Sequence, residues 1–224
     1  MYKTISKRID IYNSYIIRKS FLFFQTVGFK LSKGKLFKTI PELGRQWYLS
    51  FDILPGKTLQ KTWANIVHAT IGGNSQNYGD RIPGVWFPPK TRKLHICTAL
   101  GTKRNYCHDY GSLPRNQYTN VQIRQTWNTK SKVYQYIITI NGKVRRRVTN
   151  TRAQVFKNVK LWASDPWHKA ADATVRNLAY VNLPNGKNQL LKINKLVVLN
   201  SNCCSSRDLF FKWKHSGCFN AEVS

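Results

Sequence analysis

Acidic side chains are the scarcest feature of this sequence. Nine Asp+Glu stand against 37 Lys+Arg in 224 residues, a formal net charge of +28. Only Glu42 and Glu222 are glutamates. Reactions that need converging carboxylates, such as two-metal phosphoryl transfer or acid/base glycoside hydrolysis, have almost no groups to draw on. The strong helix formers are thin as well, with a single Met and almost no Glu, while β-branched and aromatic residues are common, so a helical protein is disfavoured. The five cysteines contain no C-x-x-C pair, and the five histidines stand apart from metal-ligand spacing. Asparagine is plentiful, yet no N-x-Ser/Thr sequon occurs. The N-terminal apolar run, Phe21-Leu22-Phe23-Phe24, is broken by Gln25 and Gly28. It is too short for a transmembrane span or an ordinary signal h-region. There is no G-x-S-x-G nucleophile elbow and no RNA-recognition, KH, zinc-finger or helix-turn-helix signature.

What is present is short alternating runs punctuated by Gly, Pro and Asn. Residues 1–34 read as a basic, partly ordered leader, with one short helix expected around Ile11–Phe24. From Lys35 the texture changes. Trp47, Leu49, Phe51 and Ile53 alternate with polar neighbours before Pro55-Gly56. Ile66–Ile71, Val85–Phe87 and Leu94–Ala99 are further strands, followed by a long loop over Gly101–Asn116. Thr119–Arg124, Val155–Ala163, Thr174–Leu183 and Leu190–Leu199 complete the set. This spacing predicts an all-β antiparallel sandwich over 35–184, with 185–224 as a C-terminal extension that carries one strand and a cysteine-bearing tail. The clearest hairpin lies around Asn141-Gly142. A three-residue loop, Ile140-Asn141-Gly142, gathers Tyr134, Tyr136, Ile138, Val144 and Val148 on one face, with Arg146 the exception, and leaves Lys143, Arg145 and Arg147 on the other.

Cys97 and Cys107 flank a loop containing Gly101, which suits a disulfide, and Cys203 or Cys204 is placed to pair with Cys218. Buried free thiols satisfy the same spacing. Cys107-His108 is a poor catalytic dyad, because neighbours on an extended strand point to opposite faces.

Several stretches in fixed order resemble a known family. They are Trp47–Leu54, Ile66-Val67-His68 through Gly72-Gly73-Asn74, Tyr78-Gly79-Asp80-Arg81-Ile82-Pro83-Gly84-Val85-Trp86-Phe87, the hairpin ending Ile140-Asn141-Gly142-Lys143, and Asn158–Trp167. Together they resemble the laminin-G-like branch of the concanavalin A-like lectin/glucanase superfamily. The resemblance implies a jelly-roll of two curved antiparallel sheets that binds glycans, sulfated polysaccharides or protein partners. The family's glycosidases carry a strand of glutamates that this sequence lacks, so no catalytic residue and no enzymatic activity are expected. Its calcium site needs an acidic rim. Here Asp80 is the nominee and Asp109 a distant second, so calcium is not expected and no other cofactor is implied.

A charge of +28 opposes compaction and points to a standing anionic partner. The expected contact residues are Lys143, Arg145, Arg146 and Arg147, with Arg124 and Lys160 as outlying contributors. Arginine forks suit sulfate and carboxylate groups. The reading is a recognition or adhesion module, extracellular or at the cell surface, binding an anionic or sulfated glycan or a glycosylated protein. An intracellular nucleic-acid-binding or generic polyanion-binding protein is the runner-up. Trp167 is expected to fill a sandwich end and Trp162 to lie under a loop rather than stack on sugar, and His68 and His95 to be hydrogen-bonded residues rather than ligands.

Overall fold

The computed structural model describes residues 22–183, all strand, turn and loop. Fourteen strands run in order: β1 (Leu22–Gln25), β2 (Phe29–Lys30), β3 (Leu36–Leu43), β4 (Trp47–Pro55), β5 (Ala64–Thr70), β6 (Gly84–Phe87), β7 (Lys93–Leu100), β8 (Lys103–Ser112), β9 (Thr119–Asn128), β10 (Val133–Ile140), β11 (Lys143–Asn150), β12 (Phe156–Trp162), β13 (Lys169–Ala170) and β14 (Ala173–Asn182). They form two seven-stranded sheets. The first has the order β1-β14-β4-β9-β10-β11, with β2 also on β14, and the second β3-β12-β5-β6-β7-β8, with β13 also on β5. Pairing is antiparallel apart from β13 on β5. This is the all-β antiparallel sandwich that the alternating runs predict, with the two sheets that the resemblance implies. No helix long and apolar enough to cross a membrane occurs among the described residues.

The core lies where the alternation puts it. Trp47, Leu49, Phe51 and Ile53 of β4, Val121 and Ile123 of β9, and Tyr136, Ile138 and Ile140 of β10 face Val67 and Ala69 of β5, Val85 and Phe87 of β6, Leu94 and Ile96 of β7, and Val159 and Leu161 of β12. Each of these residues is at least nine-tenths buried. A fully buried aliphatic or aromatic side chain contributes roughly 1.5–3 kcal/mol, so one contiguous cluster of this size accounts for the sheets remaining face to face.

Four local expectations change. Leu22–Gln25 is a strand on β14, paired Leu22↔Val181 through Gln25↔Leu178, and not the end of a helix; the rest of the Ile11–Phe24 expectation lies outside the described residues. The first sheet thus takes in β1 and β2 ahead of Lys35. Residues Lys103–Ser112 form β8, an edge strand, where a loop was expected. Its polarity misleads because an edge strand is solvated on one face. β3, which pairs with β12, carries only Ile40 and Leu43 buried and so lacks a legible period.

The hairpin differs in a more informative way. Asn141 and Gly142, at φ 48° and 75°, make a two-residue turn between Ile140 and Lys143. That is the turn favoured between twisted strands, and it wants a left-handed conformation at both positions. A bulge then offsets the ladder, so Ile138 faces Arg146 and Tyr136 faces Val148. Neither simple loop length gives this register; the extra residue does. The Leu190–Leu199 strand and the tail cysteines Cys203, Cys204 and Cys218 lie outside the described residues.

Candidate binding site

The outward face of the second sheet carries two cross-strand rows. Trp86, His95 and Asp109 are partners across β6, β7 and β8, and His68, Gly84, Cys97 and Cys107 are partners across β5 to β8. All alternate with core residues and so point away from the sandwich interior. Gly84 is required here. A Cβ at that position would lie 2.0 Å from the Trp86 ring, so only a glycine lets the indole fold flat across its own strand.

A loop is docked onto this face by buried polar groups. His68 is fully buried and points its Nδ1 at Asp165 Oδ2 (2.8 Å) and its Nε2 at the carbonyl of Asp80 (2.6 Å). Both ring nitrogens of His68 therefore face an oxygen acceptor. Asp165 also accepts the Trp167 and His168 backbone N–H groups (3.1 and 2.8 Å) and the His168 ring (2.9 Å). Its own N–H donates to Asn65 Oδ1 at 2.7 Å. Burial alone would raise the Asp165 carboxyl. Hydrogen bonds from His168 and His68, the His68 charge and the His168 backbone N–H outweigh it and hold Asp165 well below the usual carboxylate range.

These groups frame a pocket of about 230 Å³ lined by Trp63, Arg81, Trp86, His95, Asn105 and His168. Trp86 is the buried floor, and Trp63 is the accessible wall, its ring 4.7 Å from that of His95. Arg81 lies over the Trp86 ring with Cζ 4.4 Å from the centroid. Its Nε donates to the Asn74 carbonyl (3.0 Å), one terminal nitrogen to Asn74 Oδ1 (3.2 Å) and the other to Asn105 Oδ1 (2.8 Å). All three acceptors are neutral, and no salt bridge among the described residues involves Arg81. Of the five guanidinium N–H groups, two therefore remain for a ligand. Burial draws Arg81 below the ordinary arginine value, opposed by attraction to Asp165 and Asp80; the guanidinium stays charged regardless. Its backbone is fixed as well, since the Ala99 N–H donates to the Arg81 carbonyl (2.8 Å) and the Tyr180 hydroxyl to that of Ile82. The arrangement is a preset cation with donors free, beside an aromatic wall and without a competing carboxylate in contact.

The contact residues expected from sequence do not converge on this pocket. Arg124 and Arg147 flank Ile137 across β9, β10 and β11, on the outward face of the first sheet, so those two are neighbours. Burial first, and then repulsion from Arg147, draws Arg124 below the ordinary arginine value, with Tyr48 opposing. Lys143 and Arg145 are exposed on the same hairpin. Arg146 is turned by the bulge onto the inner side, where its guanidinium donates to the Tyr106 hydroxyl on β8. It bridges the two sheets at their open edge and is not part of the outer basic face. Lys160 projects from β12 between the core residues Val159 and Leu161, so it leaves the other sheet on the opposite side of the sandwich from Arg124. Asp80 is not on an open rim either: it is 1% exposed, with Oδ2 accepting the Asn77 N–H at 2.7 Å. His108 faces inward to the Tyr106 hydroxyl (2.9 Å), away from the Cys107 side. Trp167 is half-exposed, its ring 5.6 Å from that of His68 at the docked loop.

Cys97 and Cys107 stand opposite one another in the β7–β8 ladder and form a disulfide. His95 and these two sulfurs are the one group of three metal-ligating atoms within mutual reach among the described residues. Both sulfurs are joined to each other, and metals bind the thiolate, so the trio offers a metal no thiolate in this state.

No protein family and no curated protein matches the chain. Among solved structures, the receptor-binding domain of botulinum neurotoxin D is similar at a TM-score of 0.48 and 16% identity, over 81% of this chain and 48% of that one. The CBM40 of a Ruminococcus gnavus IT-sialidase, solved bound to α2,3 sialyllactose, is similar at a TM-score of 0.48 and 11% identity, over 78% of this chain and 97% of that one. A SAP-like pentraxin of Limulus polyphemus is similar at 0.43 and 10%, over 73% of this chain and 76% of that one. The chain thus spans about half the length of the toxin domain.

Proposed function

We propose that this protein is a non-enzymatic recognition module that binds an acidic glycan, free or on a glycoprotein, in the pocket on the outward face of β5–β8. One observation carries the reading: the half-buried Arg81 guanidinium is held over Trp86 by neutral acceptors alone, with two N–H groups left. A carboxylate or sulfate on a sugar would complete that fork with charge-assisted bonds. Trp63 offers the apolar face a pyranose packs against, and Asn105 and His168 offer polar groups for hydroxyls. The volume is below the roughly 300 Å³ where drug-sized sites begin, which suits one terminal sugar rather than an extended chain. The laminin-G-like assignment belongs to the same proposal and is supported by the ordered motifs, one of which contains both Arg81 and Trp86. A cell-surface or extracellular setting accords with a glycan ligand.

The experiment is binding of the full chain to an array of acidic and neutral glycans at physiological salt, repeated with Arg81→Ala. Selective binding of acidic glycans that Arg81→Ala weakens by at least about tenfold is the expected result. Equal binding to heparin and duplex DNA, lost with a common salt slope and untouched by Arg81→Ala, would instead favour the generic polyanion surface around Arg124, Arg145 and Arg147.

A further inference from the structure

The Cys97–Cys107 bridge lies beside the pocket but takes no part in the binding described above. Its two sulfurs are unequal. Cys97 is fully buried, whereas Cys107 is partly exposed on the edge strand β8. His95, two residues along the same face of β7, brings Nε2 to 3.0 Å from Cys97 Sγ. The other ring nitrogen, Nδ1, is 2.5 Å from Asp109 Oδ1, directly across the ladder. A carboxylate accepting from Nδ1 orients the imidazole and aims the other nitrogen, here at one sulfur of the pair. A bridge that only staples strands has no need of this. The strands are already joined by a two-residue turn and a full ladder, and the imidazole addresses the buried sulfur rather than solvent.

We propose that Cys97–Cys107 is a thiol–disulfide exchange centre, with Cys107 the sulfur attacked and Cys97 the leaving sulfur assisted by His95. Its substrate class is a dithiol. A thiolate of that dithiol displaces the Asn105 side chain, whose Oδ1 lies 3.1 Å from Cys107 Sγ, and forms a bond to that sulfur; the S–S bond breaks, and its electron pair leaves on Cys97 Sγ. The protonated His95 ring donates its Nε2 proton to that sulfur while Asp109 holds Nδ1, and solvent reprotonates the ring. The second thiol of the substrate then attacks its own sulfur in the mixed disulfide and releases Cys107 as a thiolate, which takes a proton from solvent. Two electrons and two protons pass from the dithiol, which becomes a disulfide, to the cysteine pair. Exchange is favoured by an accessible attacked sulfur and a stabilised leaving thiolate, and this site divides those two properties between its cysteines. His95 touches a reacting atom; Asp109 is a positioning residue.

The test uses the full chain with Cys203, Cys204 and Cys218 replaced by Ser, so that a single cysteine pair remains. Reduced glutathione is added, the reaction is quenched with iodoacetamide, and the peptides are mapped by mass spectrometry. Glutathione is expected on Cys107 and the alkyl group on Cys97. Reduction by dithiothreitol is expected to slow at least about tenfold in His95→Gln, the worth of one charge-assisted hydrogen bond, with an unchanged melting temperature. Asp109→Asn is expected to slow it less while leaving the mapping unaltered. Glutathione on Cys97 or divided evenly overturns the proposal, and so does reduction of His95→Gln at the parent rate. Reduction that requires denaturant overturns it as well.

Discussion

The two outward faces of the sandwich treat arginine in opposite ways. On the first sheet, Arg124, Arg145 and Arg147 with Lys143 supply density of charge: the side chains are exposed or half-buried, Arg124 and Arg147 repel one another, and Arg147 donates to Gln135 (2.8 Å). On the second sheet a single guanidinium is fixed at three points over an indole, with its backbone anchored from beneath. The lesson is that net charge attracts and fixed geometry selects. A flexible surface cation gives up side-chain entropy and is screened by salt when it binds, whereas Arg81 has already met its ordering cost on folding.

The comparison breaks most severely if the docked loop is lost. Asp165→Ala leaves the fully buried His68 ring, the His168 ring and the Trp167 and His168 backbone N–H groups without their acceptor, each at an expected cost of about 1–3 kcal/mol, measurable by urea denaturation, and it should abolish glycan binding with it. The pH dependence has a definite sign. Because the native Asp165 carboxyl is held below its unfolded value of about 3.9, its contribution is fully present above that value. It is lost as pH falls through the depressed native value, so parent and Asp165→Asn stabilities should converge in acid. If the difference between them does not change with pH, the His68–Asp165 account is wrong.

Next in size, Arg81→Ala should weaken acidic-glycan binding by about 1.5–3 kcal/mol, roughly ten- to a hundredfold, as read by calorimetry. Arg81→Lys should recover little of it, since a lysine cannot reproduce the fork. Trp63→Ala should then cost affinity for acidic and neutral sugars alike by about 1 kcal/mol with stability unchanged, because Trp63 is 41% exposed. The smallest effect is expected on the basic face. Lys143, Arg145 and Arg147 changed together to Ala should alter stability by less than about 0.5 kcal/mol and reduce the salt slope of heparin retention, leaving selective glycan affinity intact. Adding Arg146→Ala to that set should lower the melting temperature, because Arg146 holds Tyr106 across the sheet edge. Were the fourfold variant as stable as the threefold one, the inward assignment of Arg146 would be mistaken.

Arg146 also shows how far the sequence carries. Alternation correctly put Tyr136 and Ile138 inward and marked Arg146 as the odd residue of its face. It gave no warning of the bulge, because a one-residue offset depends on how the second strand meets its neighbours. The pocket residues Trp63, Arg81, Trp86, His95, Asn105 and His168 are scattered over more than a hundred positions, three strands and three loops, and no spacing rule links them. Trp86 sits between the apolar Val85 and Phe87, so alternation cannot say which of the three faces out. Gly84 was the available sign, as a strand glycine marks a close approach. The motif that suggested the family contained Arg81 and Trp86, but as a resemblance rather than as chemistry.

What the sequence determined by itself is the architecture and the sign of the surface charge. Period-two alternation of large apolar residues admits few structures other than stacked sheets, and 37 basic against nine acidic residues make the chain strongly positive. Which cations share a pocket was decided only in three dimensions. Positive charge is additive along a chain, but a pocket requires donors, walls and open space to coincide, and only the pairing of β5, β6, β7 and β8 and the docking of Asp165 on His68 bring those into one place.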